Sequence, residues 1–466
     1  MSQLSALDSV FLSMETPETP GHIGGLAIMD PGTHPEGRFD FDHFVDFVAE
    51  RLALCPRFSW KLQEVPFGLD EPYWVEEEEL DMRRHIQAVA LPSPGGAREL
   101  SQLASFLFER PLDRSMPLWE MFFVEGLQGG RVALLWKIHH CLMDGVSGAG
   151  LVELLFDIAP TPGDRPLVPV DDASSAGVEV GLLEMTTRGL RNAARRPGNL
   201  ARHLYRAGSQ VADQLREHGM EGVSSAPRSI FNGVIGTRRS VAWSSVSFER
   251  VKQLKNELGV TVNDVVLSLT SDAVRRYLDA RGELPEESLV AAVPVSLREK
   301  GDKSMGNQVS EIGVSWGTNI EDPLERVLSI NEAAMEAKGS DKARRVNPLQ
   351  FMAESLTPVA VQFLARSAAS SAERIPLPAN AVVSNVPMSP IPIYIGGAQI
   401  VSTIPMSLLA PTQGFNITVL SYCGELHFGL LADPALVDNI WEIADGIPKA
   451  LGTLEKSVAT DPRFNA

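Results

Sequence analysis

Apolar positions recur along the chain with two different periods. Between Phe39 and Leu54, the residues Phe41, Phe44, Val45, Val48 and Leu52 follow helical spacing, and Cys55-Pro56 predicts the stop. Asp264 to Leu278 predicts a second amphipathic helix, with Val265, Val266, Leu269, Ala273 and Tyr277 on one face and Asn263 available as its cap. Val132 to His140 and Leu289 to Val295 read as strands. Asn416 to Leu420 and Glu425 to Leu431 flank Tyr422-Cys423-Gly424, which predicts a hairpin. Strands and helices mix in both halves, so an α/β class is expected, with mixed sheets. Residues 161–173 are rich in Pro and Asp, as linkers are. The expected organisation is a first domain over 1–160, a linker with a basic helical segment over 161–230, and a second domain over 231–466.

Charge and composition narrow the function. Acids outnumber bases by 59 to 41, for a formal net charge of -18, which disfavours nucleic acid as a partner. Three cysteines give neither a closed disulfide set nor zinc spacing, and the histidines show no metal-ligand pattern. With such cysteines a reducing cytoplasm is the simplest setting, and the N-terminus, which has no basic region and whose apolar stretch Asp8 interrupts, does not read as a signal peptide. Ile375 to Gly424 holds no Asp, Glu, Lys or Arg, yet seven prolines exclude a membrane helix there. It reads either as buried strands and loops or as partly lining a slot for an apolar ligand. Met185 to Ala212 is the opposite case: six arginines and no acid. It is either a solvated basic helix or a segment that rests on anionic lipid.

The segment from Trp136 to Gly148, WKIHHCLMDGVSG, carries the chemistry. Strand alternation puts His140 on the face of Trp136 and Ile138 and turns His139 to the other. A histidine at a strand end, a turn, and Asp144-Gly145 suit an imidazole that faces a cleft. Cys141 beside it is open to reading as a nucleophile, but its neighbouring position on the strand points it away from His140.

His140 and Asp144 stand in an HHxxxDG motif that resembles the active-site motif of the CoA-dependent acyltransferase superfamily. Further segments narrow the resemblance to the bacterial wax ester synthase/acyl-CoA:diacylglycerol acyltransferase family. They are Leu4 to Asp8 with Phe11, His22 to Leu26, Arg110 to Arg114, Pro117 to Glu120, Val262 to Val265, Val293 to Arg298, Gly306-Asn307, Ser384 to Pro387, Gly414 to Ile417 and Ser421 to Gly424. They span nearly the whole chain. Met388 departs from the pattern, standing where members often have Gly.

The resemblance implies two chloramphenicol-acetyltransferase-like domains with a tunnel between them and His140 near its middle. It implies transfer of a fatty acyl group from acyl-CoA to a long-chain alcohol, to diacylglycerol, or to both, with His140 as general base. Acyl-CoA is then a substrate, and no separate cofactor is expected. His139 is a further candidate of the motif. Asp144 is expected to be structural, with Arg298 as its partner, although a plain surface role for Arg298 remains open. Asn385, Ser384 and Asn263 are candidates for an oxyanion site or ordinary turn and cap residues. Trp119 is either a wall of the substrate slot or core. A lipid substrate further implies a cytoplasmic protein in peripheral contact with the inner membrane or lipid inclusions. The alternatives are a relative that uses another donor or acceptor, such as a carrier-protein thioester, and a non-catalytic protein of lipid inclusions.

Overall fold

The structure is a computed structural model that describes residues 2–37, 39–143, 154–161, 181–194, 196, 226–296, 309–339, 352, 355–370 and 377–464. The first helix, α1 (Ala6–Met14), is capped by the Ser5 hydroxyl, which accepts the Asp8 N–H. It leads into β1 (His22–Asp30), and α2 (Phe41–Leu52) follows, capped by Asp40. Next come β2 (Ile86–Ala90), α3 (Ala97–Phe108), β3 (Trp119–Glu125), β4 (Val132–His139) and the short α4 (His140–Met143). α5 spans Leu182–Ala193.

The remaining chain forms β5 (Ser240–Ser247), α6 (Phe248–Leu258), α7 (Val262–Asp279), β6 (Val290–Ser296), β7 (Val309–Ser315), α8 (Pro323–Gly339) and α9 (Pro358–Ser370). β8 (Ala381–Pro387), β9 (Tyr394–Ile395), β10 (Ala398–Met406), β11 (Phe415–Tyr422), β12 (Glu425–Ala432) and α10 (Ile440–Thr460) complete it.

Two six-stranded mixed sheets organise these elements. The first has the order β9-β10-β1-β4-β3-β2, and the second β7-β6-β8-β11-β12-β5. In the first only β2 and β3 run parallel; in the second β8 runs parallel to both β6 and β11. The mixed α/β class follows the expectation. Strands β9 and β10, from late in the sequence, join the first sheet, β10 lying antiparallel against β1. A small sheet of Ser2–Gln3, Trp60–Gln63 and Tyr73–Glu76 lies apart.

Each sheet has its own apolar core, and a third cluster joins them. In that junction Leu26, Phe122, Leu135 and Ile404 of the first sheet meet Val241 and Leu431 of the second. Gly429 of β12 crosses β10 so closely that a Cβ there would stand 1.8 Å from the Pro405 carbonyl oxygen. The Tyr422 hydroxyl adds a polar tie, donating to the Ile400 carbonyl at 2.7 Å and accepting the Ile393 N–H at 3.1 Å.

Local boundaries differ from the sequence reading in ways the contacts explain. Thr261, not Asn263, caps α7: its hydroxyl accepts the Asp264 N–H, while the Asp264 carboxylate accepts the Thr261 N–H in return. The first predicted helix is shorter at both ends. The predicted hairpin forms, its turn made by Cys423 and Gly424, both at positive φ, 47° and 81°. The charge-free stretch proves to hold four strands, β8 to β11, over its described part. Residues 162–173 of the linker, and most of the basic segment, lie outside the described residues. No helix among those described is long and apolar enough to cross a membrane.

Candidate active site

β4 is pinned between β1 and β3, and its end is fixed from both sides. His139 N–H donates to the Leu118 carbonyl, while His140 N–H donates to the Gly21 carbonyl at 2.9 Å. His139 therefore ends the strand, one residue earlier than its pattern suggests, and His140 opens α4. Gly24 and Gly25 let β1 lie flush on β4, because a Cβ at either would strike Trp136.

The two histidines have opposite surroundings. His140 is half-buried, and its ring stacks on Phe11 of α1 with centroids 4.0 Å apart and planes at 18°. His139 is buried. Its Nδ1 accepts the Cys141 backbone N–H at 3.2 Å and lies 2.9 Å from the Cys141 sulfur. A nitrogen that accepts is unprotonated, so in the neutral ring Nε2 carries the proton. Burial lowers the His139 pKa to about 4, against the raising effect of Glu15. Burial also pushes the Cys141 thiol well above its ordinary value, so it stays protonated and is a poor nucleophile.

Three residues that were not among the candidates hold this pair. Glu15, at the end of α1, accepts the Gly21 N–H at 3.0 Å and bonds to Arg114 at 2.6 and 3.0 Å. Its carboxylate lies 3.8 Å from His139 Nε2. Gly21 packs on the His139 ring, where a Cβ would stand 2.4 Å from Nε2. The signal for them was the first of two acids, Glu15 and Glu18, in the short stretch between Phe11 and His22, together with the Arg110 to Arg114 motif. That motif is bipartite: Arg114 binds Glu15, and the Arg110 carbonyl accepts from the buried Lys137 ammonium, which also pairs with Glu120 at 2.9 Å.

The other candidates are dispersed. Trp119 is core: fully buried, it stacks on His85 at 4.3 Å and donates its indole N–H to the Phe58 carbonyl. Ser384 and Asn385 are part-buried on β8 of the second sheet, opposite Thr418 and Val419, whereas the histidines belong to the first. Asn263 lies in the first turn of α7, and its neighbour Asp264 is occupied by Thr261 and Asn331. Asp144 and Arg298 lie outside the described residues. Among the described residues no three His, Cys, Asp or Glu side chains converge as a metal site requires.

Comparison with known proteins places this geometry. The family model for the wax ester synthase/diacylglycerol acyltransferase catalytic domain matches residues 4–266, and that for the WS/DGAT C-terminal domain matches 305–455. A Mycobacterium tuberculosis protein assigned by name to the diacylglycerol O-acyltransferases is 35% identical, over 97% of this chain and 90% of its own. A Mycobacterium bovis protein so assigned is 34% identical, over 97% and 98%. The wax ester synthase/diacylglycerol acyltransferase structure from Marinobacter aquaeolei superposes with a TM-score of 0.69 at 29% identity, over 98% of this chain and 99% of that one. The first condensation domain of the calcium-dependent antibiotic synthetase shares the fold, with a TM-score of 0.55 at 14% identity. The chain belongs to the wax ester synthase/diacylglycerol acyltransferase family and is an acyltransferase.

Proposed function

We propose that the protein transfers a fatty acyl group directly from acyl-CoA to the hydroxyl of a long-chain alcohol or of diacylglycerol, with His140 as general base. The observation that carries this reading is the contrast between the two histidines: one sealed and neutral, the other half-buried on Phe11 at the end of β4. An alcohol is a weak nucleophile, and an imidazole within hydrogen-bond reach takes its proton as oxygen attacks the thioester carbonyl. CoA thiolate is a good leaving group, so the tetrahedral adduct collapses to ester without an acyl-enzyme. The proton then passes from the imidazolium to the departing sulfur. His139 does not titrate in this scheme; with Gly21 and Glu15 it holds the backbone that presents His140. Asp144 is assigned a structural role, with Arg298 as its partner, and Ser384, Asn385 or Asn263 to the oxyanion. The water-insoluble acceptor puts the work at a membrane or lipid-inclusion surface.

Thiol release from palmitoyl-CoA, with and without hexadecanol or diacylglycerol, tests the reading. His140→Ala is expected to lower turnover by at least about a hundredfold while the fold is kept. Near wild-type turnover in that variant would remove His140 from the chemistry. Acceptor-independent thiol release would indicate hydrolysis instead.

A further inference from the structure

Among the described residues, the two helices with the most exposed large apolar side chains, α5 and α9, both contact the turn Pro66–Gly68. α5 buries Met185 and Gly189 against Val65 and Leu69, so at 100° per residue Leu183 and Leu190 point outward. They are 81% and 56% exposed. On α9, Val361 is buried, and Val359, Phe363 and Arg366 occupy the opposite face. Val359 is 49% exposed and Phe363 69%. The turn Pro66–Gly68 lies between the helices: a Cβ on Gly68 would stand 3.3 Å from the Val359 side chain. Phe67 at its tip is 84% exposed and has a φ of 61°, an unfavourable conformation for a bulky residue. Apolar side chains on three adjoining elements thus form one ridge, where single scattered ones would need no account.

Charge identifies what this ridge meets. Arg188 and Arg191 of α5 and Arg366 of α9 flank it, and the one acid among the described residues of the two helices, Glu184, is bound to Arg188 at 2.6 Å. This is a basic rim on a chain of net charge -18. A second copy would bring like charge against like charge across an isologous contact. A bilayer with anionic headgroups supplies negative charge at the level of the arginines and an apolar interior below them. Arg196, in the same basic segment, is not part of the rim: it turns inward to Asp70, Glu71 and the Leu356 carbonyl, and so anchors α5.

We propose that this ridge, carried by Phe67, α5 and α9, docks the protein on an anionic lipid surface. The assignment deepens the proposed acyl transfer, on which it rests for its purpose. α9 packs on α1, where Val361 and Val10 share one buried cluster. Docking therefore sets the lipid beside the helix whose Phe11 stacks on His140.

The test uses the full chain and vesicles of phosphatidylcholine with and without phosphatidylglycerol, read by co-sedimentation. Wild type is expected to bind the phosphatidylglycerol vesicles and to be released by salt. The triple variants F67S/L183S/F363S and R188Q/R191Q/R366Q are each expected to lose roughly tenfold or more in binding. Both should keep their circular dichroism and their activity on detergent-dispersed substrate. Wild-type binding by the apolar variant, or no preference for phosphatidylglycerol, would overturn the proposal. So would intact vesicle binding with a changed oligomeric state, which would make the ridge an interface between copies. If vesicles bind as expected but no acyl transfer occurs, the activity fails and the docking surface stands.

Discussion

A histidine that is neutral when folded and free to protonate when unfolded makes stability depend on pH. His139, lowered to about 4 by burial, is such a group. Between its ordinary value of about 6.5 and 4, the unfolded chain binds the extra proton, so its contribution is present above pH 6.5 and is lost as pH falls through 4. The full effect is on the order of 3 kcal/mol. In urea titrations, His139→Gln is expected to lose less stability than wild type between pH 7 and pH 5; parallel losses would mean that His139 is already protonated in the fold. Glu15 acts at the same scale by different means. Removing its carboxylate strands the Gly21 N–H and takes from Arg114 its nearest carboxylate, at a cost of about 1–3 kcal/mol. Glu15→Ala should therefore lower the melting temperature and kcat together. Unchanged kcat in a destabilised variant would confine Glu15 to stability.

At the level of elements, the anchorage of α5 makes the sharpest expectation. The Glu71 carboxyl is raised to about 7 by burial and by its hydrogen bond with Asp70, whose own pKa is lowered. On the acid side of that value the pair carries close to one negative charge, which the Arg196 guanidinium balances. Arg196→Ala leaves that charge buried alone, a loss of about 3–5 kcal/mol. The expected result is a lower melting temperature and faster proteolysis within Leu182–Ala193; unaltered cleavage would show that Met185, Gly189 and Asn192 seat the helix without Arg196. The basic run was legible in the sequence, but the inward turn of Arg196 was not, because its partners lie more than a hundred residues away. The same holds for the end of β4. Alternation located the strand and its faces, whereas the stop at His139 depends on Gly21, which local pattern does not contain. Periodicity served best where an element is self-contained, as in α7 and in the hairpin at Cys423-Gly424.

For the whole molecule, the decisive feature is that the chain returns from the second sheet to complete the first. β8 lies in one sheet and β9 and β10 in the other, with Met388 bonded to the Ser421 carbonyl near the start of that crossing. The charge-free composition of this region announced burial but not which sheet each strand would join; that is settled by pairing with β1 and by the contact of β10 on β12. Gly429 is the tightest point of that contact. The Pro405 carbonyl carbon as well as its oxygen would lie within 3 Å of a Cβ there, and both belong to backbone held in the β10–β1 ladder. Neither side has a flexible side chain to move, so even one methyl group must separate the sheets or break ladder bonds, costing on the order of 1–3 kcal/mol or more. Gly429→Ala is expected to lower the melting temperature by several degrees and to reduce turnover with His140 intact. Gly424→Ala, a change in the exposed hairpin turn at positive φ, should cost about 1 kcal/mol through backbone strain alone and spare turnover. Equal loss of turnover in both variants would show that activity follows global stability, not the alignment of the two sheets.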